Sequence, residues 1–254
     1  MIRFWKNHLL KRARLTKSVK EQMKLVRHPD YEIRRELFKN PNLHSLALEM
    51  LVHDTDERVR YKIAKHLEDP DLIDEMILRE ESSDVLVRLA KNKHLSEEQQ
   101  IALLEKKDSY EVWVYLAGET TSLKIMKRCF EKDDVTIKTF LARNNDLELS
   151  MAMELAKDPS EDVRFEIASE TIYREVLDYL ADNETVEENL IEVAQNPATG
   201  NRNLYKLLSK NPNELIRKAV ASNENLDNRL KRKLKKDPSL IVRNQFRKKD
   251  FYWY

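Results

Sequence analysis

Apolar residues recur along the chain with a period of about 26 residues. Each copy has a central residue, usually alanine, with an apolar residue just before it and, except at Asn189, another apolar residue five before it. We call these central residues the anchors, and successive anchors lie 25 to 27 residues apart. The nine anchors are Phe38, Ala64, Ala90, Ala117, Ala142, Ala168, Ala194, Ala221 and Arg247.

The spacing within each copy predicts two short helices. Apolar residues four apart beside a small residue form one buried stripe of a helix. Further apolar residues about 5, 9 and 13 positions past the anchor, such as Leu147, Met151 and Leu155, predict a second helix. Because asparagine tolerates the left-handed conformation that ends a helix, we interpret the asparagines two positions after the anchor as stop signals. These are Asn40, Asn92, Asn144, Asn196 and Asn223.

A single helix pair cannot bury both of its apolar stripes, so neighbouring pairs must stack. The pattern therefore predicts an all-α fold, a right-handed α-α superhelix or solenoid of about nine 26-residue helix–turn–helix repeats. We place the solenoid at residues 28–250. A basic N-terminal capping helix region at residues 1–27 precedes it, and an aromatic C-terminal tail at residues 251–254 follows it.

An acidic or amide residue stands six positions before a basic residue in several repeats. The first lies in the predicted turn that enters the repeat and the second lies on its first helix, so the pairs can bond within and between repeats as a structural ladder. Their fixed spacing favours this pairing over an anion-binding stripe. We expect loss of Arg164 to destabilise the protein because Asp158 loses its partner. The pairs are Asp54 and Arg60, Asp158 and Arg164, Asn211 and Arg217, and Asp237 and Arg243.

The spacing D-P-S-x-x-V-R-x-x-x-A of the best copies resembles the HEAT family of helical repeats. The short period and the A-x-N-x-x-L ending are more similar to the bacterial leucine-rich repeat variant group. The resemblance covers roughly residues 28–250 and implies architecture, with almost nothing about activity. The repeats are slightly longer than in that group. The chain also has no cysteine cluster for the iron–sulfur centre of one family member, so we expect no cofactor.

Composition excludes several classes of function. The chain has only two glycines, which excludes the glycine-rich loops that hold phosphates and dinucleotides. Its one cysteine excludes an internal disulfide and a zinc site built on several thiolates. None of the six histidines is three or four residues from another, so we expect no metal site. No apolar run approaches the ~20 residues that span a bilayer, and we expect a soluble, cytoplasmic protein.

Charge is distributed unevenly although the net charge is only +1. Residues 1–27 contain nine basic and one acidic side chain, and residues 228–254 contain ten basic and two acidic ones. The basic ends either bind an anion, such as nucleic acid or an anionic membrane, or only cap the terminal repeats, and the sequence favours capping. The candidate anion-binding residues are Lys6, Lys11, Arg12, Arg14, Lys231, Arg232, Lys235 and Trp253.

The fourth repeat departs most from the pattern, since Trp113 replaces the ladder arginine and is followed by Tyr115 and Glu119. Departures from a local rule are where function tends to lie. The alternative is that Trp113 only packs against a second helix. The acidic stretch at residues 68–84 suggests a basic partner and contributes three further candidates for partner binding. These are Asp71, Asp74 and Glu75.

These observations favour a non-catalytic scaffold that binds a protein or peptide partner in a concave groove lined by the second helices. The alternative is a nucleic-acid-binding protein related to the alkylpurine DNA glycosylases, some of which are built from HEAT-like repeats. A third hypothesis is self-assembly, with the basic ends of one molecule against the acidic middle of another. No catalytic residue can be assigned, and we do not expect an enzyme. The oligomeric state stays open.

Overall fold

The computed structural model describes residues 2–106 and 109–246, with the backbone alone at residues 2–4 and 208–210. These residues form 19 helices and no strand, which confirms the all-α prediction. A long helix, α1 (Ile2–Leu15), comes first. The first helices of the helix pairs are α3 (Tyr31–Leu37), α5 (Glu57–Ala64), α7 (Ser83–Ala90), α9 (Tyr110–Glu119), α11 (Val135–Ala142), α13 (Glu161–Glu170), α15 (Glu187–Gln195), α17 (Glu214–Ser222) and α19 (Leu240–Arg243).

The other helices alternate with the first helices along the chain. They are α2 (Val19–Leu25), α4 (Ser45–Val52), α6 (Pro70–Arg79), α8 (Glu97–Leu104), α10 (Leu123–Glu131), α12 (Leu149–Leu155), α14 (Arg174–Asn183), α16 (Asn201–Lys210) and α18 (Asn228–Leu234). None of the helices in the described part of the chain is long and apolar enough to cross a bilayer.

The chain forms two compact units, residues 1–116 and residues 117–254. In the first unit, first helices pack on first helices, with α3 against α5 and α5 against α7, while α4 packs on α6 and α6 on α8. The second unit follows the same rule, with α11, α13, α15, α17 and α19 in contact in turn and α12, α14 and α16 in contact in turn. This order of contacts fits a repeat of helix pairs.

The anchor alanines allow the close approach of the first helices. Ala64, Ala117, Ala168 and Ala194 are completely buried. The apolar residues before them are buried as well, as Ile63 shows. The stripe that the sequence predicts is therefore the core of each unit, and burial of such side chains stabilises the fold by ~2 kcal/mol each.

The asparagines after the anchors join one repeat to the preceding one. The Asn144 side-chain amide donates to the carbonyl oxygens of Ala117 and Thr120, each at 2.9 Å, and its own oxygen accepts from the Asp146 backbone N–H at 2.9 Å. Equivalent bonds recur in both units, and we call these residues the asparagine ladder. Its members are Asn40, Asn92, Asn144, Asn196 and Asn223.

These asparagines do not adopt the left-handed conformation that we expected of helix stop signals. Asn196 and Asn223 end α15 and α17 with φ angles of −58° and −66°. Within the described ranges, Asp133 is the only residue other than glycine with a positive φ angle. Asparagine recurs because its amide group bonds two buried carbonyls and a turn N–H at the same time, which leucine or alanine cannot do.

The basic ladder also joins consecutive repeats, but through other carboxylates than the sequence predicted. The Arg164 guanidinium donates to Glu184 of the next repeat at 2.7 Å, while its Nη1 donates to the backbone oxygen of Asp158 at 2.8 Å. The carboxylate of Asp158 instead accepts from Lys138 at 3.0 Å. The predicted pairing of Arg164 with the Asp158 side chain is therefore corrected, because the charge partner lies 20 residues downstream.

The same correction applies to the other predicted ladder pairs. Arg60 donates to the Asp54 backbone oxygen and to the carboxylate of Glu80. The Asp54 carboxylate accepts from the Arg34 guanidinium instead. The remaining predicted pairs behave alike. Arg217 binds the Asp237 carboxylate and the Pro212 carbonyl, Arg243 donates to the Asp237 backbone oxygen, and the Asn211 side chain accepts from the Asn213 N–H.

Candidate functional site

The predicted aromatic candidates lie on α9. The Trp113 indole N–H donates to the Leu104 carbonyl oxygen at 3.1 Å, and the Trp113 side chain is half-buried. The Tyr115 ring is also half-buried, with the Lys91 ammonium 5.2 Å from its centroid. Glu119 is exposed at the end of the helix. The hydrogen bond from Trp113 to Leu104 replaces the bond that a ladder arginine makes to a backbone carbonyl.

The predicted acidic candidates lie on α6, separate from the aromatic ones. Asp71 is exposed in the first turn of the helix. Asp74 accepts a hydrogen bond from the Gln99 amide at 2.8 Å, and Glu75 lies 2.6 Å from the His53 ring nitrogen. The structure therefore places the six predicted partner-binding residues on two helices of different kinds.

The predicted anion-binding residues near the N-terminus are largely paired with carboxylates. The Lys6 ammonium lies 3.0 Å from Asp30. Arg12 pairs with Glu21 and Arg14 pairs with Glu36. Lys11 is exposed. These ion pairs support the capping interpretation of residues 1–27, because they connect α1 with α2 and α3.

The C-terminal candidates lie around α18. Arg232 is exposed and bonds the Asn228 carbonyl, and the Lys235 ammonium is 5.9 Å from the Phe246 ring. Lys231 is half-buried. Trp253 and the predicted tail at residues 251–254 lie outside the described residues.

Grooves beside the ladder arginines recur at equivalent positions of the two units. Arg60 lines a cavity of about 280 Å³ and Arg164 lines one of about 260 Å³. In both, the guanidinium is already bound by a carboxylate and a backbone carbonyl. These grooves therefore belong to the structural ladder.

A second kind of groove lies between neighbouring first helices. It forms at the same repeat positions in both units. Its lining residues stand seven, six and three positions before one anchor, on one first helix, and eight, six and five positions before the next anchor, on or just before the following first helix. In the first unit it lies between α5 and α7 and is lined by Glu57, Arg58, Tyr61, Ser82, Asp84 and Val85, with Arg35 of α3 beside them. In the second unit it lies between α13 and α15 and is lined by Glu161, Asp162, Phe165, Val186, Glu188 and Asn189.

The groove of the second unit is the larger one, about 590 Å³ against about 200 Å³. Glu166 also lines it, so that four carboxylates and the half-buried Phe165 ring share one groove. We call the groove lined by Glu161, Asp162, Phe165, Glu166 and Glu188 the acidic groove. In the first unit Arg58 takes the position of Asp162, so the two grooves have the same aromatic position and different charge.

Acidic side chains continue along the same first helices. Burial raises the pKa of Glu192 on α15, and the nearby carboxylates of Glu166 and Glu170 raise it further. Asn189 fixes α15 against α13, because its buried amide donates to the Glu161 carbonyl oxygen at 3.1 Å. The electrostatics of this surface therefore favour a cation.

A guanidinium of the chain itself already binds beside the acidic groove. Arg143 bonds both carboxylate oxygens of Glu166, with Nε 2.7 Å from Oε2. The Arg143 guanidinium carbon also lies 5.2 Å from the centroid of the Phe140 ring. The surface thus holds an arginine between a carboxylate and an aromatic ring, two groups that bind a guanidinium well.

Cys129 lies in the core of the second unit, away from the acidic groove. Its side chain is completely buried, and burial raises the pKa of the thiol to about 12. Because the thiolate is the reactive form, we expect the native protein to react with Ellman's reagent far more slowly than unfolded protein. Absorbance after mixing, with and without guanidinium chloride, measures both rates. A native rate equal to the unfolded rate would contradict the buried position.

No protein-family model matches the chain, and comparison with curated proteins and with solved structures likewise gave no match. Sequence analysis missed Asp162, Phe165 and Glu188. The signal that could have found them is the aromatic residue three positions before the anchor, which recurs at Tyr61 and Phe165.

Proposed function

We propose that this protein is a non-catalytic scaffold, a right-handed α-α superhelix of about nine HEAT-like repeats that binds a protein or peptide partner. Support for the repeat comes from the anchor spacing, the asparagine ladder and the recurrent grooves. Similarity to the bacterial leucine-rich repeat variant group adds to it. Rigid repeats bind by presenting side chains on fixed helices, so little entropy is lost when the partner docks.

The partner that best fits the acidic groove is a peptide with arginine or lysine side chains. Three of the four carboxylates, Glu161, Asp162 and Glu188, form no ion pair among the described residues, and together with the Phe165 ring they favour a cation by charge and by cation–π attraction. The groove's volume of about 590 Å³ is large enough for a long side chain. This groove lies on the first helices, whereas the sequence pattern predicts a groove lined by the second helices.

We expect a labelled arginine-rich peptide to bind at low salt, with fluorescence anisotropy as the readout. The double variant Asp162→Asn/Glu188→Gln should weaken binding about tenfold, since two cation-binding charges are lost. Phe165→Ala should weaken it about threefold or more through loss of the cation–π contact. A glutamine-rich peptide of equal length should not bind.

A control variant must distinguish the effect of losing the groove's carboxylates from the effect of lowering the negative charge of the whole protein. Glu131 and Glu224 are exposed and lie outside the groove, so Glu131→Gln/Glu224→Gln removes the same charge as the double variant. Equal weakening by both double variants would mean that the peptide responds only to overall charge. Unchanged binding by Asp162→Asn/Glu188→Gln would exclude the acidic groove as the binding site.

A further inference from the structure

A group of cations surrounds His66, just after α5 in the first unit. The pKa of His66 is lowered by burial and then by the positive charges of Lys62, Arg88, Lys65 and Lys93. Glu68 lies 3.7 Å from His94. Among the residues that the structure describes, no carboxylate forms an ion pair with Lys62, Lys65, Arg88 or Lys93. These four cations therefore have no ion-paired carboxylate, and the nearest acidic side chains that share a groove with Tyr61 are Glu57 and Asp84.

An aromatic ring and an arginine join this cluster. Tyr61 is 42% exposed, and the Arg88 guanidinium carbon lies 5.0 Å from the centroid of its ring. The Arg88 Nε is buried and has no hydrogen-bond partner. The half-buried Arg88 guanidinium therefore has hydrogen-bonding capacity that the described residues do not use in full. We call Tyr61, Lys62, Lys65, Arg88 and Lys93 the basic patch.

We propose that the basic patch binds single-stranded nucleic acid, with phosphates on Lys62, Lys65, Arg88 and Lys93 and a base stacked on the exposed Tyr61 ring. Charged grooves with aromatic rings hold single strands in this way, and stacking accepts any base. This site is independent of the acidic groove, which lies in the other unit. It also differs from the basic ends of the chain, where Lys6, Arg12 and Arg14 are paired with carboxylates.

An acidic peptide is the other ligand with the right charge. Its carboxylates would use the lysines, but it has no group that needs an open aromatic face beside an arginine. Tyr61 therefore distinguishes the two ligands. A strand should lose affinity when the ring is removed, whereas an acidic peptide should respond only to the charges.

The test uses the full chain and a labelled oligouridine and oligothymidine of about 12 nucleotides. Fluorescence anisotropy at low and at physiological salt measures the affinity and its salt slope. Lys62→Gln/Lys65→Gln/Lys93→Gln should weaken binding about tenfold or more at low salt. It should also reduce the salt slope by about 0.7 for each phosphate contact that is lost. Tyr61→Leu should weaken binding about fivefold or more, and Tyr61→Phe should bind like the parent chain.

The matched control is Lys127→Gln/Lys157→Gln/Lys218→Gln, which removes three exposed lysines of the second unit. It should keep the parent affinity within about twofold, and circular dichroism checks the fold of every variant. The proposal is overturned by absence of binding at low salt or by equal loss in both triple variants. A labelled polyglutamate peptide that binds as tightly, with no effect of Tyr61→Leu on either ligand, would overturn it in favour of an acidic protein partner.

Discussion

Replacing Arg164 with methionine should destabilise the second unit by about 3–5 kcal/mol, the largest effect that we expect from one surface-facing residue. The Glu184 side chain is only 1% exposed, and Arg164 supplies its charge partner. Without the guanidinium, a carboxylate stays buried with no compensating charge. Chemical unfolding followed by circular dichroism measures the loss.

The chain itself indicates that a buried ladder acid is not left alone. Leu86 and Leu190 replace the ladder arginine in two repeats, and the residues 20 positions downstream are then Lys106 and Lys210 instead of an acid. In these two repeats arginine and acid are absent together, whereas Asp133, 20 residues after Trp113, is exposed and pairs with Lys138. The ladder behaves as a set of pairs, and loss of one member alone is the costly change.

The second substitution Glu184→Gln provides the control. In the background of Arg164→Met it removes the buried charge, so the double variant should be more stable than Arg164→Met alone. Lys157→Met, which removes an exposed lysine paired with Glu154, should cost less than about 1 kcal/mol. If Arg164→Met cost no more than Lys157→Met, the buried pair would not stabilise the fold.

Acidification gives the same pair a second test. Burial raises the pKa of Glu184, but hydrogen bonds from Arg164, from two backbone N–H groups and from Asn189 outweigh it and lower the pKa to about 2. A folded pKa below the ordinary value of 4.5 means that this stabilisation is complete above pH 4.5 and is lost as the pH falls toward 2. The stability difference between the parent chain and Arg164→Met should therefore shrink on acidification.

Much of the fold is predictable from the sequence because a repeat states the same rule many times. One alanine with apolar neighbours indicates little, whereas anchors at a constant spacing predict that helix pairs stack. The error about the asparagine ladder has a physical cause. An asparagine after a helix is expected both where the chain turns into the left-handed conformation and where its amide bonds the preceding repeat. The sequence is the same in the two cases, and only the structure shows which carbonyl oxygens the amide reaches.

The candidate site was less predictable, because the residues that form it are common at their positions in any helix. Asp162 and Glu188 are ordinary first-turn acids that stabilise any helix N-terminus, so the sequence does not distinguish them. They become a site because stacking brings α13 and α15 side by side around Phe165. Trp113 departs from the repeat pattern, and in the structure its half-buried indole donates a hydrogen bond to the Leu104 carbonyl oxygen.

Replacing Asn144 with alanine should cost about 3 kcal/mol of unfolding free energy, the second large effect that we expect. The side chain is 6% exposed and makes three hydrogen bonds, two to carbonyls of the preceding repeat and one from the Asp146 N–H. Each bond contributes about 1 kcal/mol. Alanine leaves all three backbone groups without this partner in a place that water reaches poorly.

Asn145 is the matched control, because it is the next residue in the same turn and is exposed. Asn145→Ala should change the unfolding free energy by less than about 0.5 kcal/mol, and urea unfolding followed by circular dichroism measures both variants. Asn144→Asp is more informative still. Aspartate keeps the acceptor for the Asp146 N–H but replaces the donor to Ala117 and Thr120 by a second acceptor. If the asparagine ladder stabilises through its donated bonds, Asn144→Asp must be at least as damaging as Asn144→Ala. An aspartate variant as stable as the parent chain would show that the turn bond alone matters.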